Sequence, residues 1–359
     1  MHTKIPLLRK FIILKMLFGS LLVLASCSTG RRVVNINTKR PADITIPSSV
    51  KSILLVDRTK FNKNVLNVAE SILTGELPGE DNAATQALIQ AFRAKLGNNA
   101  RFTTKVAAER LEGNSVSTAF PKQIPWATIR RLCARYQTDA VLAVEIFDSD
   151  FIITQGKRKT KKKIKEGNIT REVEVDEFYA RGVDNLQAGL KFYIPATQNV
   201  IDQKLYKKIG TWEAGAASKA GALAGLIQKS MATRQLAEGL GRAYAFRVAP
   251  MPVRLQRYFR GKAKRAPELE QGSRYADVAN WKEAINVWKS GLDRAPTREA
   301  GYLAYNIAVA YEVLGNFKLS KEWAQTSYVR YGNRDGKPNY DLLNRRIANE
   351  QRAKSQLGE

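Results

Sequence analysis

The sequence predicts a mixed-sheet α/β domain over residues 50–252, followed by an all-helical domain over residues 266–359. Three observations carry that expectation. Short apolar runs alternate with amphipathic stretches of helical period between residues 50 and 252. Pro250 and Pro252 close that pattern, and the readable segments beyond them have helical period alone. The helical part also repeats itself: Asn280-Trp281 recurs as Asn316-Phe317, 36 residues on.

Residues 1–26 read as a signal segment. Lys4, Arg9, Lys10 and Lys15 form a basic stretch without an acid, and "MLFGSLLVLAS" follows as an uncharged run of eleven residues. A helix needs ~20 apolar residues to cross ~30 Å of hydrocarbon, so this run is too short to span. It ends in Leu24-Ala25-Ser26-Cys27: one apolar residue, two small ones, then cysteine. This resembles the bacterial lipoprotein signal. The resemblance implies diacylglycerol on the Cys27 thiol, cleavage before Cys27, and acylation of the new amino group. Two or three acyl chains hold a protein stably where one does so only marginally, at ~0.8 kcal/mol per buried CH₂. Residues 27–49 read as a polar tether with Pro41, Pro47 and weak strand signals at Val33–Ile36 and Ile44–Ile46. Ser28 is not the Asp that retains enterobacterial-type lipoproteins in the inner membrane, and residues 28–32 carry no acid. The expected address is the outer membrane, facing the periplasm.

The chain carries a formal charge of +26. Removing the signal takes away only four of its basic residues, so the remainder stays strongly basic. Such a surface attracts polyanions: anionic lipid headgroups, acidic glycans or acidic proteins. Nucleic acid is set aside because of the address. The single histidine is His2, inside the signal. The remainder therefore has no Ser-His or Cys-His nucleophile and no histidine metal site. Cys133 in "IRRLCARYQ" has no cysteine to pair with and reads as a buried small hydrophobe. No cofactor or metal is expected, and no GxGxxG or GxxxxGK[ST] stretch suggests a nucleotide site.

Ile53–Val56 is a short continuous apolar run, the pattern of a buried strand. A loop or partial helix follows through "NVLNVAESILTGELPGED". Then Ala84, Ala87, Leu88, Ala91 and Phe92 mark an amphipathic helix, with Asp81 or Asn82 as cap and Gly97 as stop. "RFTTKV" is a short strand, "IPWATIRRLCARYQ" a helix opened by Pro125, and Ala140–Phe147 a second apolar strand. "ILLVDRTKF" and "CARYQTDAVLAVEIFD" resemble the N-terminal domains of the translocation protein TolB, the curli-secretion lipoprotein and related outer-membrane lipoproteins. The resemblance covers about residues 50–250. It implies protein binding or complex assembly rather than catalysis. Glu145 stands where those families commonly have glycine.

"GKRKTKKKIKEGNITREVEVDEFYARG" holds Lys157, Arg158, Lys159, Lys161, Lys162, Lys163 and Lys165, then alternates charged and apolar residues from Arg171 to Phe178. This reads as a long hairpin turning at Glu166-Gly167-Asn168, with one very basic arm. The arm is a candidate contact for anionic lipid or glycan; a solvated edge strand whose lysines block aggregation is the plainer reading. A second hairpin runs from Leu190–Ile194 through Pro-Ala-Thr-Gln-Asn to Val200–Tyr206. The Ala- and Gly-rich stretch after it places Gly221 and Gly225 four apart, a spacing that lets helices approach closely. Lys219, Lys229, Arg234 and Glu238 interrupt it, so it reads as a helix packed tightly on the sheet.

In the last third, Gly272, Tyr275, Ala284, Trp288 and Pro296 sit at the spacing of the tetratricopeptide repeat, with Trp281 and Ile285 adding to the match. A second copy carries Ile307, Ala308, Tyr311, Gly315, Asn316 and Phe317 in matching places. It departs at Ser320 and Ala324, where Ala and an aromatic are usual. The resemblance implies antiparallel helix pairs closed by aromatics, and a concave groove for a protein or peptide. In the second copy that groove would be lined by Tyr302, Tyr305, Asn306 and Val309. "NYDLLNRRIANEQRAKS" reads as a capping helix. Lipobox, α/β domain and two such repeats together resemble an uncharacterised lipoprotein family of Bacteroidota.

The expected function is that of an outer-membrane-anchored periplasmic lipoprotein acting as an adaptor or scaffold for a protein partner of the envelope. One alternative is a subunit of a self-assembling secretion or export complex, using the 147–206 hairpins. Another is an enzyme on envelope glycans, with Asp148 and Asp150, or Glu172, Glu174, Asp176 and Glu177, as paired carboxylates.

Overall fold

The structure, a computed structural model, describes residues 30–59, 80–97, 101–111, 113, 119–167 and 169–359. The signal segment, Cys27 and most of the predicted loop or partial helix after residue 63 lie outside these residues. The chain divides into two compact units. Of the described residues, one comprises those within 39–252 with 349–359; the other comprises 30–38 with 253–348.

The larger unit is a mixed α/β sandwich, as the sequence predicts. Its sheet contains β2 (Ser52–Asp57), β3 (Thr103–Val106), β4 (Ala140–Glu166), β5 (Ile169–Ile194) and β6 (Asn199–Ala216), in the order β3-β2-β4-β5-β6. β2 runs parallel to β3 and β4, and β4-β5-β6 is antiparallel. Parallel strands need covered faces, and β2 is apolar on both. Ile53 and Leu55 face the core under α1 (Glu80–Gly97) and α4 (Lys229–Val248), while Leu54 and Val56 face α2 (Trp126–Tyr136). Cys133 is buried on α2 against that second layer, and burial pushes its thiol pKa up.

The close helix approach falls elsewhere than at Gly221 and Gly225. Those two lie in the short α3 (Lys219–Gly225). The tight crossing is between α1 and α4, at Gly241: a Cβ there would stand 2.2 Å from the Leu88 carbonyl oxygen. Only a residue without a side chain allows that contact.

The described part of the predicted tether, residues 30–49, is not free. Arg31–Arg40 forms β1, which pairs with β7 (Met251–Arg260) in a two-stranded sheet. Ile44–Ile46 is not a strand, but Ile46 and Val50 enter the core of the larger unit. The far boundary also differs. The last turns of the final helix, α9 (Gly336–Leu357), belong with the larger unit: the Gln356 side chain accepts from the Ala42 N–H at 2.8 Å and donates to the Ala42 carbonyl at 3.2 Å.

The smaller unit is helical apart from its two strands. α5 (Pro267–Asp277) and α6 (Trp281–Ser290) form one antiparallel pair; α7 (Thr297–Val313) and α8 (Phe317–Val329) form the next. Asn280 and Asn316 cap α6 and α8, accepting from Glu283 N and Leu319 N. Ala279 and Gly315, just before them, both have positive φ, 60° and 76°. The two turns are therefore the same turn, repeated at 36 residues. Gly272 is flat against Trp288, since a Cβ there would meet the indole at 2.3 Å. Ser320 fits a buried site by donating to the Ala308 carbonyl at 2.7 Å.

Candidate functional site

The most extended feature is in the larger unit. β6 pairs with β5 only from Ile194 back to Phe178. Beyond that row, Arg158–Glu166 of β4 and Ile169–Glu177 of β5 pair only with each other. This leaves a two-stranded finger of nine residues per arm, ~30 Å long at ~3.3 Å per residue. It turns at Gly167, whose φ is +60°. Sheet alternation separates two faces. Lys157, Lys159, Lys161, Lys163 and Lys165 share one, opposite Phe178, Asp176, Glu174, Glu172 and Thr170. The other carries Arg158, Thr160, Lys162, Ile164 and Glu166, opposite Glu177, Val175, Val173, Arg171 and Ile169.

The seven basic residues singled out in the sequence thus split into two groups. Lys157 is paired with Asp176 at 2.8 Å, Lys159 lies 4.0 Å from Glu174, and Arg158 is paired with Glu177 and Glu213. The Lys157 ammonium holds the Asp176 carboxyl below its ordinary range, and Arg158 and Arg181 do the same to Glu213. Lys161, Lys162, Lys163 and Lys165, nearer the tip, make no ion pair among the described residues. Beside them Ile164 and Ile169 are 43% and 58% exposed. Of the carboxylates considered for glycan chemistry, Asp176 and Glu177 are thus engaged across the finger, and Asp148 and Asp150 stand exposed on β4.

The predicted groove on α7 is filled by the chain itself. Asn306 and Val309 are fully buried. The Asn306 side chain accepts from the Arg260 N–H at 2.8 Å and donates to the Arg260 carbonyl at 2.7 Å, so β7 lies against that part of the helix. Phe259 of β7 meets Trp281 and Trp288 edge-on at 6.0 and 5.9 Å. The groove reading of Asn306 and Val309 is therefore corrected: the helix period identifies the inward face but not what covers it. Tyr302 and Tyr305 remain partly exposed, with the Arg260 guanidinium 4.5 Å over the Tyr302 ring. Next to them is a small cleft of about 130 Å³, lined by Arg31, Tyr258, Phe259, Arg260, Tyr305 and Asp335. Burial pushes the Tyr305 hydroxyl up to about 12, so it stays protonated there. Exposed apolar residues of this unit include Val278 and Leu314, at 74% and 44%. They are 36 residues apart, at equivalent points of the two repeated turns.

One buried polar cluster was not anticipated. Glu145 sits at the register shift between Val144 and Ile146 and is buried. Tyr193 donates its hydroxyl to Glu145 Oε1, Arg58 lies 3.3 Å from the same oxygen, and Lys191 lies 3.2 Å from Oε2. Burial, then the carboxylate it faces, holds the Tyr193 hydroxyl well above its ordinary pKa. Lys191 also donates to the Pro121 carbonyl and Arg58 to that of Lys122, at 3.0 and 2.7 Å. The cluster ties the 121–122 segment over the sheet. The signal for it was a lone acid inside the apolar run Ala140–Phe147. Among the described residues no group of three or more His, Cys, Asp or Glu is placed to hold a metal, and no helix is long and apolar enough to cross a membrane.

Residues 50–259, more than half of the chain, match the family described as "Domain of unknown function (DUF8603)". The chain belongs to the DUF8603 family. Its helical part, residues 270–353, matches a second, "Domain of unknown function (DUF6340)". No curated protein matches. Among solved structures, this DUF8603 chain is similar to a homolog of a neuraminyllactose-binding hemagglutinin from Helicobacter pylori, at 9% identity and a TM-score of 0.28, over 57% of this chain and 95% of that one. A PelC dodecamer from Paraburkholderia phytofirmans gives 12% and 0.21, over 58% and 98%. A minor lipoprotein from Acinetobacter baumannii gives 9% and 0.20, over 57% and 98%. At these TM-scores the neighbours assign neither fold nor activity to this chain.

Proposed function

We propose that this DUF8603 protein is an outer-membrane lipoprotein of the Bacteroidota type, held by lipid on Cys27 and facing the periplasm. It works by binding, as an adaptor or scaffold for a protein partner of the cell envelope. The observation that supports binding is the 36-residue recurrence of one capped helix pair, with Asn280 and Asn316 in the same role. Tetratricopeptide-type pairs recur in this way, and their stacking serves to present surface. Since β7 occupies the Asn306 face of α7, we assign the partner to the edge that carries Val278 and Leu314.

The test is crosslinking in intact cells, purification of the membrane-bound protein and mass spectrometry of what accompanies it. A distinct envelope protein is expected, lost on replacing Val278 and Leu314 with lysine while the melting temperature is kept. Cys27→Ala, exported behind a signal whose cleavage does not need the cysteine, is expected to let high salt release the chain from the membrane fraction, where the lipidated chain resists it. Self-crosslinks alone, at one fixed high mass, would overturn the adaptor reading in favour of a self-assembling export subunit. That second reading has an observation of its own. Among the described residues, β4 past Val144 and the outer side of β6 are long open edges, able to pair with another copy.

A further inference from the structure

The finger ends in an arrangement that a solvated edge strand does not need. From Lys161 to Glu172 stand five basic residues (Lys161, Lys162, Lys163, Lys165, Arg171) and two acidic ones (Glu166, Glu172). The acids that pair with basic residues lie nearer the base of the finger: Asp176 and Glu174 with Lys157 and Lys159, Glu177 and Glu213 with Arg158. Ile164 pairs with Arg171, and Glu166 pairs with Ile169, so the two isoleucines are diagonal neighbours on one face of the tip. Both are exposed, as are the four lysines of the tip: Lys162 shares the isoleucine face, and Lys161, Lys163 and Lys165 project from the other side of the ribbon, where long stems can still bring their ammonium groups to the headgroup level. A two-stranded ribbon standing alone is marginal in water, so exposed isoleucines at its end are costly unless something covers them.

We propose that the finger tip docks on an anionic lipid surface, with Ile164 and Ile169 entering the headgroup boundary and Lys161, Lys162, Lys163 and Lys165 meeting the phosphates. Anionic lipid supplies both halves of what the tip presents, apolar depth and negative charge. A soluble polyanion supplies only the second. Nine residues per arm would also be long enough to cross a bilayer, but Lys162 and Arg171 share the face of the isoleucines. That placement favours lying in the interface over spanning. The contact depends neither on lipid at Cys27 nor on the protein partner proposed above.

The experiment is vesicle co-sedimentation of the chain from residue 27 onward carrying Cys27→Ser, so that neither the signal segment nor an acyl chain contributes. Vesicles of phosphatidylcholine with 30% phosphatidylglycerol are compared with pure phosphatidylcholine. Binding is expected to the anionic vesicles and to weaken with salt. Replacing Lys161, Lys162, Lys163 and Lys165 together with glutamine should lower the partition coefficient roughly 100-fold or more, at about tenfold or less per charge. Ile164→Ser with Ile169→Ser should lower it about tenfold. Lys157→Gln with Lys159→Gln, at paired positions, should change it less than about twofold. Circular dichroism and melting confirm that each variant is folded. Equal binding to both vesicle types, or unchanged binding by the four-glutamine variant, would overturn the proposal. So would heparin competition at full strength combined with no effect of the isoleucine changes, which would make the tip a polyanion site instead.

Discussion

Asn306 grips Arg260 by both of its backbone groups, accepting from the N–H at 2.8 Å and donating to the carbonyl at 2.7 Å. A single side chain thus substitutes for the strand neighbour that β7 lacks on this side. Asn306→Ala would leave the Arg260 N–H without its acceptor, while Ser273 still donates to the carbonyl at 3.3 Å. The expected loss is about 2–3 kcal/mol, one hydrogen bond plus one stranded donor. Urea unfolding of the variant measures it; a loss below about 0.5 kcal/mol would show that water takes over the contact.

The twin caps make a second prediction. Asn280→Ala and Asn316→Ala should each cost about 1 kcal/mol, the usual value of an N-cap. Their effects should add, because the two caps share no partner. A double variant measured against both singles tests this, and marked non-additivity would mean that the two turns act on each other.

Glu312 is fully buried between two arginines. Arg257 donates to both of its oxygens, at 2.8 and 2.9 Å, and Arg346 to Oε1 at 2.6 Å. Glu312→Gln would leave two guanidinium groups facing a neutral amide. The expected cost is about 3–5 kcal/mol, most of it from uncompensated charge. Replacing Arg257, Glu312 and Arg346 together with Met, Leu and Met should cost far less. If the triple variant is as unstable as Glu312→Gln, the triad contributes by fit rather than by balance.

Asp184 gives the pH dependence. Burial raises its carboxyl above the ordinary value of 3.8, and the Thr233 hydroxyl, donating at 2.6 Å, offsets only part of that. The folded state therefore holds this proton more tightly than the unfolded one. Stability is lost as pH rises from the unfolded pKa through the raised folded one, and stays lost at neutrality. Asp184→Asn should melt higher than the wild type at pH 7, with the two converging below the unfolded pKa. A variant no more stable at pH 7 would mean that Lys229, which also acts on this carboxyl, compensates for burial.

The parts that were legible in the sequence are those set by near neighbours. Asn280 and Asn316 act on residues three further on, so their turns can be read from a few letters. The strand pattern of Ile53–Val56 and the turn at Gly167 are local in the same sense. β1 showed in the sequence only as the weak strand signal at Val33–Ile36, because its partner β7 lies roughly 220 residues away and its own alternation is mostly polar. The same distance explains the groove: the inward face of α7 could be read, the strand that covers it could not. Glu145 was visible as an odd residue in an apolar run. Its partners Arg58, Lys191 and Tyr193 come from two other strand regions that no spacing rule connects.

Glu145 has no partner of its own in the ladder: Val144 faces Leu190, and Ile146 faces the next residue, Gly189. It is an insertion, and the sheet reads the same on either side of it. Deleting this one residue would keep every later side chain of β4 on its present face, finger included, while leaving Arg58 and Lys191 without their carboxylate. A single codon thus gives such a strand an internal charge without turning any face of the sheet, and its loss would keep the faces but leave two buried cations without their counter-charge.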